Sequence, residues 1–311
     1  MCRRLLFLPI AALSLALTGC DLEELGNSNR FKEDFSYNFP LKEGGRIDLE
    51  NFNGSVEITA WDRDSVDITG QKYASTEDLL QAIKIDIVPS PDSIRIRTVR
   101  PVERRGNMGA RYVIRVPRRV MLDRIMSSNG GIRVTGIEGD ARLRSSNGGI
   151  NITDLRGALE ANTSNAGIEI RQLDGSANLR TSNGSIRVDR VRGAFEAVTS
   201  NAGIDARLAE IDPNRPIRLE TSNGNINVTL EQMKGHEVRA ASSNGSITIR
   251  LPESTEAKVR AHTSNSSITS DFDVLVKGGL KTKTRLEGTI GDGAGLLDVG
   301  TSNGSIRLLK L

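Results

Sequence analysis

Three observations predict an all-β chain folded as a single-stranded parallel β-helix-like solenoid of about ten rungs, each of 18–22 residues. The first is a hexapeptide, [Ser/Thr]-Ser-Asn-[Gly/Ala/Ser]-[Gly/Ser/Asn]-Ile, that recurs nine times between Ser127 and Ile306. Its asparagines are Asn129, Asn147, Asn165, Asn183, Asn201, Asn223, Asn244, Asn265 and Asn303; the first four gaps are 18 residues, followed by 22, 21, 21 and 38, the last about two turns. The second is a pair of apolar columns. An isoleucine stands three residues after every asparagine, from Ile132 to Ile306, and an apolar residue four before it, as at Ile125, Leu143, Ala161 and Leu179. The third belongs to the 18-residue copies: an apolar residue at Ile137, Leu155, Leu173 and Val191, and a glycine at Gly139, Gly157, Gly175 and Gly193. Each turn therefore reads as strand, Ser-Asn-Gly corner, strand, and a second corner closed by glycine. Turns stacked in parallel about 4.8 Å apart make a rod.

Taken in order, residues 1–19 form a signal peptide. Arg3 and Arg4 give a basic start, Leu5 to Leu17 is an almost unbroken apolar run too short to span a bilayer comfortably, and small residues follow. The junction Leu17-Thr18-Gly19-Cys20 resembles the lipobox of bacterial lipoproteins, which implies cleavage before Cys20 and a lipid on its thiol. Cys2 leaves with the signal, so the mature chain has no disulfide to form and must hold together by core burial. Asp21 resembles the inner-membrane retention signal of enteric lipoproteins, implying the periplasmic face of that membrane, with the outer membrane or cell surface as the other destination.

Residues 20–44 read as the lipidated cysteine and a polar tether, and residues 45–311 as one continuous domain whose first third is irregular. Strict alternation predicts strands around Ile47-Asp48-Leu49, Val56-Glu57-Ile58, Val66-Asp67-Ile68, Ile85-Asp86-Ile87 and Ile94-Arg95-Ile96. One short helix is expected near Thr76 to Ala82, capped by Ser75 or Thr76, with Leu79, Leu80 and Ile83 on one face. Leu49 to Val56 has the look of an early, degenerate rung.

The nine asparagines are expected to form a structural ladder. Asn and Gly tolerate a left-handed backbone at a tight corner, stacked Asn amides can bond to one another, and the neighbouring Ser/Thr columns can make cross-rung hydroxyl contacts. Calcium-binding solenoids need recurring corner aspartates; these corners carry no carboxylate, so neither a metal nor a cofactor is expected.

Asn51-Phe52-Asn53-Gly54-Ser55-Val56, Ala60-Trp61-Asp62, the run Tyr112 to Pro117 and the recurring Thr/Ser-Ser-Asn-Gly-Ser-Ile together make the chain resemble the bacterial adhesin-like family, also called the toastrack domain. The likeness covers roughly Gly45 to Leu311 and implies a β-helix-like solenoid, an adhesin-like role and no catalytic residues to carry over. Relatives near envelope-stress modules imply a sensing component as the alternative role.

A carbohydrate-active β-helix enzyme is the third reading, and it requires carboxylates converging on one face. The outward columns instead mix signs: Arg133, Asn151, Glu169, Arg187, Asp205, Asn227 on one, Arg142, Glu160, Asn178, Glu196, Arg218 on its neighbour. His236 and His262 read as solvated, and no catalytic residue is assigned. Charge is uneven along the chain. Arg95, Arg97, Arg100, Arg104, Arg105, Arg111, Arg115, Arg118, Arg119 and Arg124 crowd thirty residues holding only Glu103 and Asp123. Eight of them, Arg95, Arg97, Arg100, Arg104, Arg105, Arg115, Arg118 and Arg119, are the candidate contact for an anionic lipid, a polysaccharide or an envelope protein. Nucleic acid is not expected as a partner of an exported lipoprotein with 4% aromatic residues and no stacking platform. The sequence therefore points to a non-enzymatic, lipid-anchored binding or scaffold module of the cell envelope.

Overall fold

Alternating aliphatic residues make each predicted strand amphipathic, and a computed structural model shows where their apolar faces go. It describes residues 30–101, 106–212, 214–233, 235–276 and 282–311. The chain opens with β1 (Phe31–Pro40), β2 (Gly45–Asn51), β3 (Val56–Trp61), β4 (Ser65–Ala74), α1 (Glu77–Ala82), β5 (Lys84–Ser90), β6 (Ser93–Val99) and β7 (Met108–Pro117). The repeats follow as β8 (Val120–Ser127), β9 (Ile132–Glu138), β10 (Ala141–Ser145), β11 (Ile150–Arg156), β12 (Leu159–Asn162), β13 (Ile168–Asp174), β14 (Ala177–Arg180), β15 (Ile186–Arg192), β16 (Phe195–Val198) and β17 (Ile204–Leu208). Then come β18 (Ile217–Thr221), β19 (Ile226–Leu230), β20 (Glu237–Ser242), β21 (Ile247–Leu251), β22 (Ala257–Thr263), β23 (Ile268–Ser270), β24 (Arg285–Ile290), β25 (Gly295–Thr301) and β26 (Ile306–Lys310).

From β8 to β21 the strands alternate between two 13-stranded sheets. The first sheet runs β1-β4-β7-β3-β9-β11-β13-β15-β17-β19-β21-β26-β23, the second β24-β22-β25-β20-β18-β16-β14-β12-β10-β8-β2-β6-β5. Eleven strands of each sheet run parallel and form eleven rungs, close to the ten expected; β1, β4, β5 and β24 are antiparallel additions at the ends. One continuous core lies between the sheets, and the predicted columns line it: Ile132, Ile150, Ile168, Ile186 and Ile204 are all buried, as are Ile137, Leu155, Leu173 and Val191. Full burial of such a side chain contributes about 1.5–3 kcal/mol, so no staple is required.

Two buried residues on the long strands, such as Val134 and Ile137, are three apart rather than two. The difference is absorbed by one left-handed residue per rung: Gly136 (φ 74°), Asp154 (φ 53°), Gln172 (φ 61°) and Arg190 (φ 62°). This residue turns the strand so that the next aliphatic side chain re-enters the core. The second corner needs its glycine for space as well as conformation. At Gly175 (φ 148°) a Cβ would stand 2.1 Å from the carbonyl oxygen of Gly157 on the rung before.

The helix forms as expected, with the Thr76 hydroxyl accepting from the Leu79 N–H and with Leu79 and Leu80 buried. Two expectations need correction. Residues 31–40 are not tether: β1 pairs over its full length with β4, from Phe31↔Ala74 to Pro40↔Ser65, because Phe31, Phe35, Tyr37 and Phe39 share one side of the strand. Among the described residues the folded domain thus includes Phe31–Pro40, ahead of the expected start at Gly45. The first third is irregular as expected: β2–β3 and β6–β7 are full rungs, but α1 and the antiparallel β1, β4 and β5 interrupt the repeat there. Finally, rung order departs from sequence order at both ends. β25–β26 slots between β20–β21 and β22–β23, and β2–β3 lies between β6–β7 and β8–β9. At the far end β25–β26 fills the place left between two earlier rungs; at the first end β6–β7 takes the outer side of β2–β3 and β8–β9 then joins its other side.

Candidate binding surface

The Ser-Asn-Gly corners stack into a ridge along the rod. Each asparagine after Asn129 donates its amide N–H to the Oδ1 of the asparagine on the adjacent rung at 2.6–2.8 Å, linking Asn129, Asn147, Asn165, Asn183, Asn201, Asn223, Asn244, Asn303 and Asn265 in that spatial order. The place of Asn303 ahead of Asn265 is the interleaved end seen from the ridge. Backbone bonds reinforce it, as Asn183 N–H donates to the Ser164 carbonyl at 2.9 Å. A third bond comes from the residue two before each asparagine. Its hydroxyl donates to the carbonyl of the preceding corner, as from Thr199 to Gly184 at 3.0 Å, and all nine such residues, Ser127 to Thr301, are buried. The ladder is therefore real, but its backbone is not left-handed: none of the nine asparagines has a positive φ. The asparagine is selected for its amide, which is both donor and acceptor and can bond the rung on either side. The buried hydroxyl column meets carbonyls, not other hydroxyls.

The outward columns pair in the register expected from sequence. Arg133↔Asn151, Asn151↔Glu169, Glu169↔Arg187, Arg187↔Asp205 and Asp205↔Asn227 follow one another on the first sheet. On the second, Arg142↔Glu160, Glu160↔Asn178, Asn178↔Glu196 and Glu196↔Arg218 do the same. Arg156 meets Glu138 at 2.9 Å and Arg180 meets Glu196 at 3.0 Å across rungs. Opposite charges alternate, and carboxylates do not converge. His236, expected in solvent, is buried with Nε2 2.8 Å from the Ile211 carbonyl, because the chain between β17 and β20 is longer than in the 18-residue turns and folds over it. His262 is exposed.

The arginine stretch is split by the fold. Arg95 and Arg97 lie on β6 in the second sheet, with Arg100 just beyond, whereas Arg115 lies on β7 in the first. Arg118 and Arg119 occupy the turn into β8; Arg104 and Arg105 lie outside the described residues. Acids remote in sequence stand beside several of them. Arg97 is 3.7 Å from Glu50 and faces Asp86 across the β5–β6 pair, and Arg118 is 3.2 Å from Asp62. Arg119 bonds Glu43 through Nε at 2.8 Å, and that carboxylate holds the guanidinium pKa above its ordinary value. Among the described residues no carboxylate forms an ion pair with Arg95, Arg100 or Arg115. Arg97 and Arg100 line a groove of about 390 Å³ with Glu50, Phe52, Val99 and Arg144. Sequence reasoning missed Arg144, which lines this groove from β10, beyond β2 and β8, and carries no signal of its own in the sequence.

At the same end of the rod, the Tyr112 hydroxyl and the Thr98 hydroxyl lie 2.6 Å apart and tie the two sheets together across the core. Burial raises the Tyr112 phenol well above its ordinary pKa, and the Thr98 bond offsets this only in part. Beyond it, β1 lays Phe35, Tyr37 and Phe39 over the end of the core, their neighbouring ring centroids 6.1 and 6.4 Å apart. Cys20 lies outside the described residues. No helix among the described residues is long and apolar enough to cross a membrane.

Two parallel sheets wound from one repeating turn, with no converging acids among the described outward columns, define a β-solenoid of the toastrack type. The sequence matches the profile of Toastrack DUF4097 over residues 44–309, and the chain belongs to that family. Solved structures similar to it include a "putative cell adhesion protein" of Clostridium sporogenes (11% identity, 90% of this chain and 100% of that one, TM-score 0.22). A "putative adhesin" of Bacteroides fragilis is 13% identical over 89% of this chain and 97% of that one, with a TM-score of 0.35. Another "putative adhesin", from Parabacteroides distasonis, is 11% identical over the same shares, with a TM-score of 0.33. No curated protein is similar to the chain.

Proposed function

We propose that this protein is a non-enzymatic, lipid-anchored module of the bacterial envelope that binds or scaffolds partners through its rod, as the adhesin-like names of its structural relatives suggest. The observation that carries the reading is Leu17-Thr18-Gly19-Cys20, placed directly after a signal-like apolar run. Two or three acyl chains on Cys20 give a stable anchor, since each buried methylene contributes about 0.8 kcal/mol. Asp21 favours the periplasmic face of the inner membrane. The outward columns support the non-enzymatic part, because opposite charges paired along a face are what a solvated surface carries. Arg95, Arg97 and Arg100, with Arg144, form the contact for an anionic lipid, a polysaccharide or an envelope protein. Exposed charges act over a Debye length of about 8 Å, so that contact weakens as salt rises.

The anchor is tested by growing cells with radiolabelled palmitate. The wild-type protein takes up label and the Cys20→Ser protein accumulates as an unlabelled precursor. Label retained in Cys20→Ser would remove the lipoprotein assignment. An envelope-stress sensing role is the second reading, supported by the resemblance alone.

A further inference from the structure

We infer that the β1–β5 end of the rod docks directly on the membrane surface, so that the solenoid stands on the bilayer end-on instead of hanging from its lipid. The inference rests on the lipid anchor proposed above. Eight large apolar side chains are exposed among the described residues, and none lies on the strands from β9 to β26. Six of them, Phe31, Tyr37, Val88, Val99, Val113 and Met121, sit on β1 and β5 to β8, at one end. The other two, Leu275 and Leu311, are at the far end. Tyr37 is 38% and Val88 50% exposed, and Phe35, Phe39, Ile85 and Ile87 beneath them are only partly buried. Phe31 and Tyr37 lie on the same side of β1 as the part-buried Phe35 and Phe39, over the end of the core, and such a local apolar patch marks an interaction site. Val99, Val113 and Met121 lie singly on the outward sheet faces.

Where the chain enters decides the occupant. β1 is the outermost strand of its sheet, and it begins at Phe31, eleven residues after Cys20. Fully extended, those residues reach at most about 36–40 Å, so a lipid on Cys20 tethers this end of the stack to the bilayer. The intervening Asp21-Leu22-Glu23-Glu24-Leu25-Gly26-Asn27-Ser28-Asn29 has two apolar side chains, too few to cover the patch itself. Aromatic side chains with a polar tip, as Tyr37 has, settle at the headgroup level, and apolar ones bury shallowly in the same layer. On the neighbouring outer face Arg95 stands opposite Asp48 in the strand register, and Arg97 opposite Glu50 and Asp86, so little net charge remains there; the docking is apolar in origin and does not require anionic lipid.

The test uses the full acylated chain reconstituted in phosphatidylcholine vesicles that contain a headgroup-nitroxide phosphatidylcholine. An environment-sensitive fluorophore is attached through Val88→Cys or, at the opposite end, through Leu275→Cys; acylated Cys20 does not react with the thiol label. The probe at 88 should lose most of its emission to the nitroxide at both low and high salt, and the probe at 275 should keep it, being on the order of 50 Å away along the stack. Phe31→Asp combined with Tyr37→Asp should restore the emission at 88. Emission retained at both positions, on vesicles that co-sediment with acylated protein, overturns the docking and leaves the anchor standing. Blue-shifted emission at 88 without nitroxide quenching means that protein, from residues 21–29 or a second copy, covers the patch, and this also overturns it. A mass spectrum of Cys20 without acyl chains removes the anchor, and the docking with it.

Discussion

Between Ala141 and Leu208 every rung pairs with the rung before and the rung after it in the sequence, whereas at the far end the chain skips a place and returns to fill it, and at the first end it steps over a rung already laid. The middle closes by contacts about 18 residues apart. The ends close by contacts such as Asn303 to Asn244, 59 residues apart. Both halves use the same corner, hydroxyl and amide bonds, so the difference lies in connectivity and not in chemistry. It teaches that a repeat can propagate itself but cannot end itself. A parallel edge left open is a template for further pairing, and here three of the four sheet ends are finished by antiparallel strands, β4 and β1, β5, and β24, while the fourth ends on the three-residue β23.

The largest effect should come from treating the two regions alike. Removing Asn165 to Ser182 deletes one complete 18-residue turn and joins Ser164 to Asn183 in the same register, so a shorter rod should fold and melt cooperatively. Removing residues 295–311 takes away β25–β26 and leaves the edges of β20–β21 and β22–β23 facing an empty slot; this chain should aggregate or lose its cooperative transition. Far-UV circular dichroism with thermal melts compares the two, and equal behaviour would show that the inserted rung is dispensable.

A smaller effect is expected at the second corner. Gly175→Ala places a Cβ against the Gly157 carbonyl at a positive φ, costing on the order of 1–3 kcal/mol in a denaturant titration. An unchanged midpoint would mean that the backbone shifts to make room. The ladder comes next. Asn183→Val removes amide bonds to both Asn165 and Asn201, about 1–2 kcal/mol in all, whereas Asn265→Val, at the ladder's end, removes only its bond to Asn303 and should cost about half as much. Equal losses would argue that the backbone bonds, and not the amide chain, hold the corners.

The last effect, small at neutral pH and distinctive in alkali, concerns the β6–β7 rung. The Tyr112 pKa is raised in the folded chain, so above about pH 10 the unfolded chain has lost a proton that the folded chain keeps. Stability therefore falls as pH rises beyond that point. Tyr112→Phe should flatten this alkaline limb while costing about 1 kcal/mol at pH 7 through the lost Thr98 bond. An identical alkaline limb in wild type and variant would mean another group drives it.

How much of the candidate surface could be read in advance varied with the range of the contacts. The outward columns were legible because register follows from a fixed period, and Arg133 had to face Asn151 once the repeat was recognised. The arginine stretch was not, because its acid partners, Glu43, Glu50, Asp62 and Asp86, come from other strands, and β6 and β7 carry consecutive parts of it to opposite sheets. β1 was hidden for a related reason. Phe31 to Pro40 is rich in polar residues on one side, and only its full-length pairing with β4 shows that the aromatic side belongs to the core's end.

The sequence by itself determined the solenoid, its 18-residue period, the inward columns and the asparagine ladder, because each depends on a pattern that every copy states locally. Only the tertiary structure decided that β25–β26 and β2–β3 lie inside the stack, that β1 is its outermost strand and that the exposed apolar residues gather at that end. A strand's alternation says which face is buried; which edge it joins depends on the edges that the rest of the chain has left open.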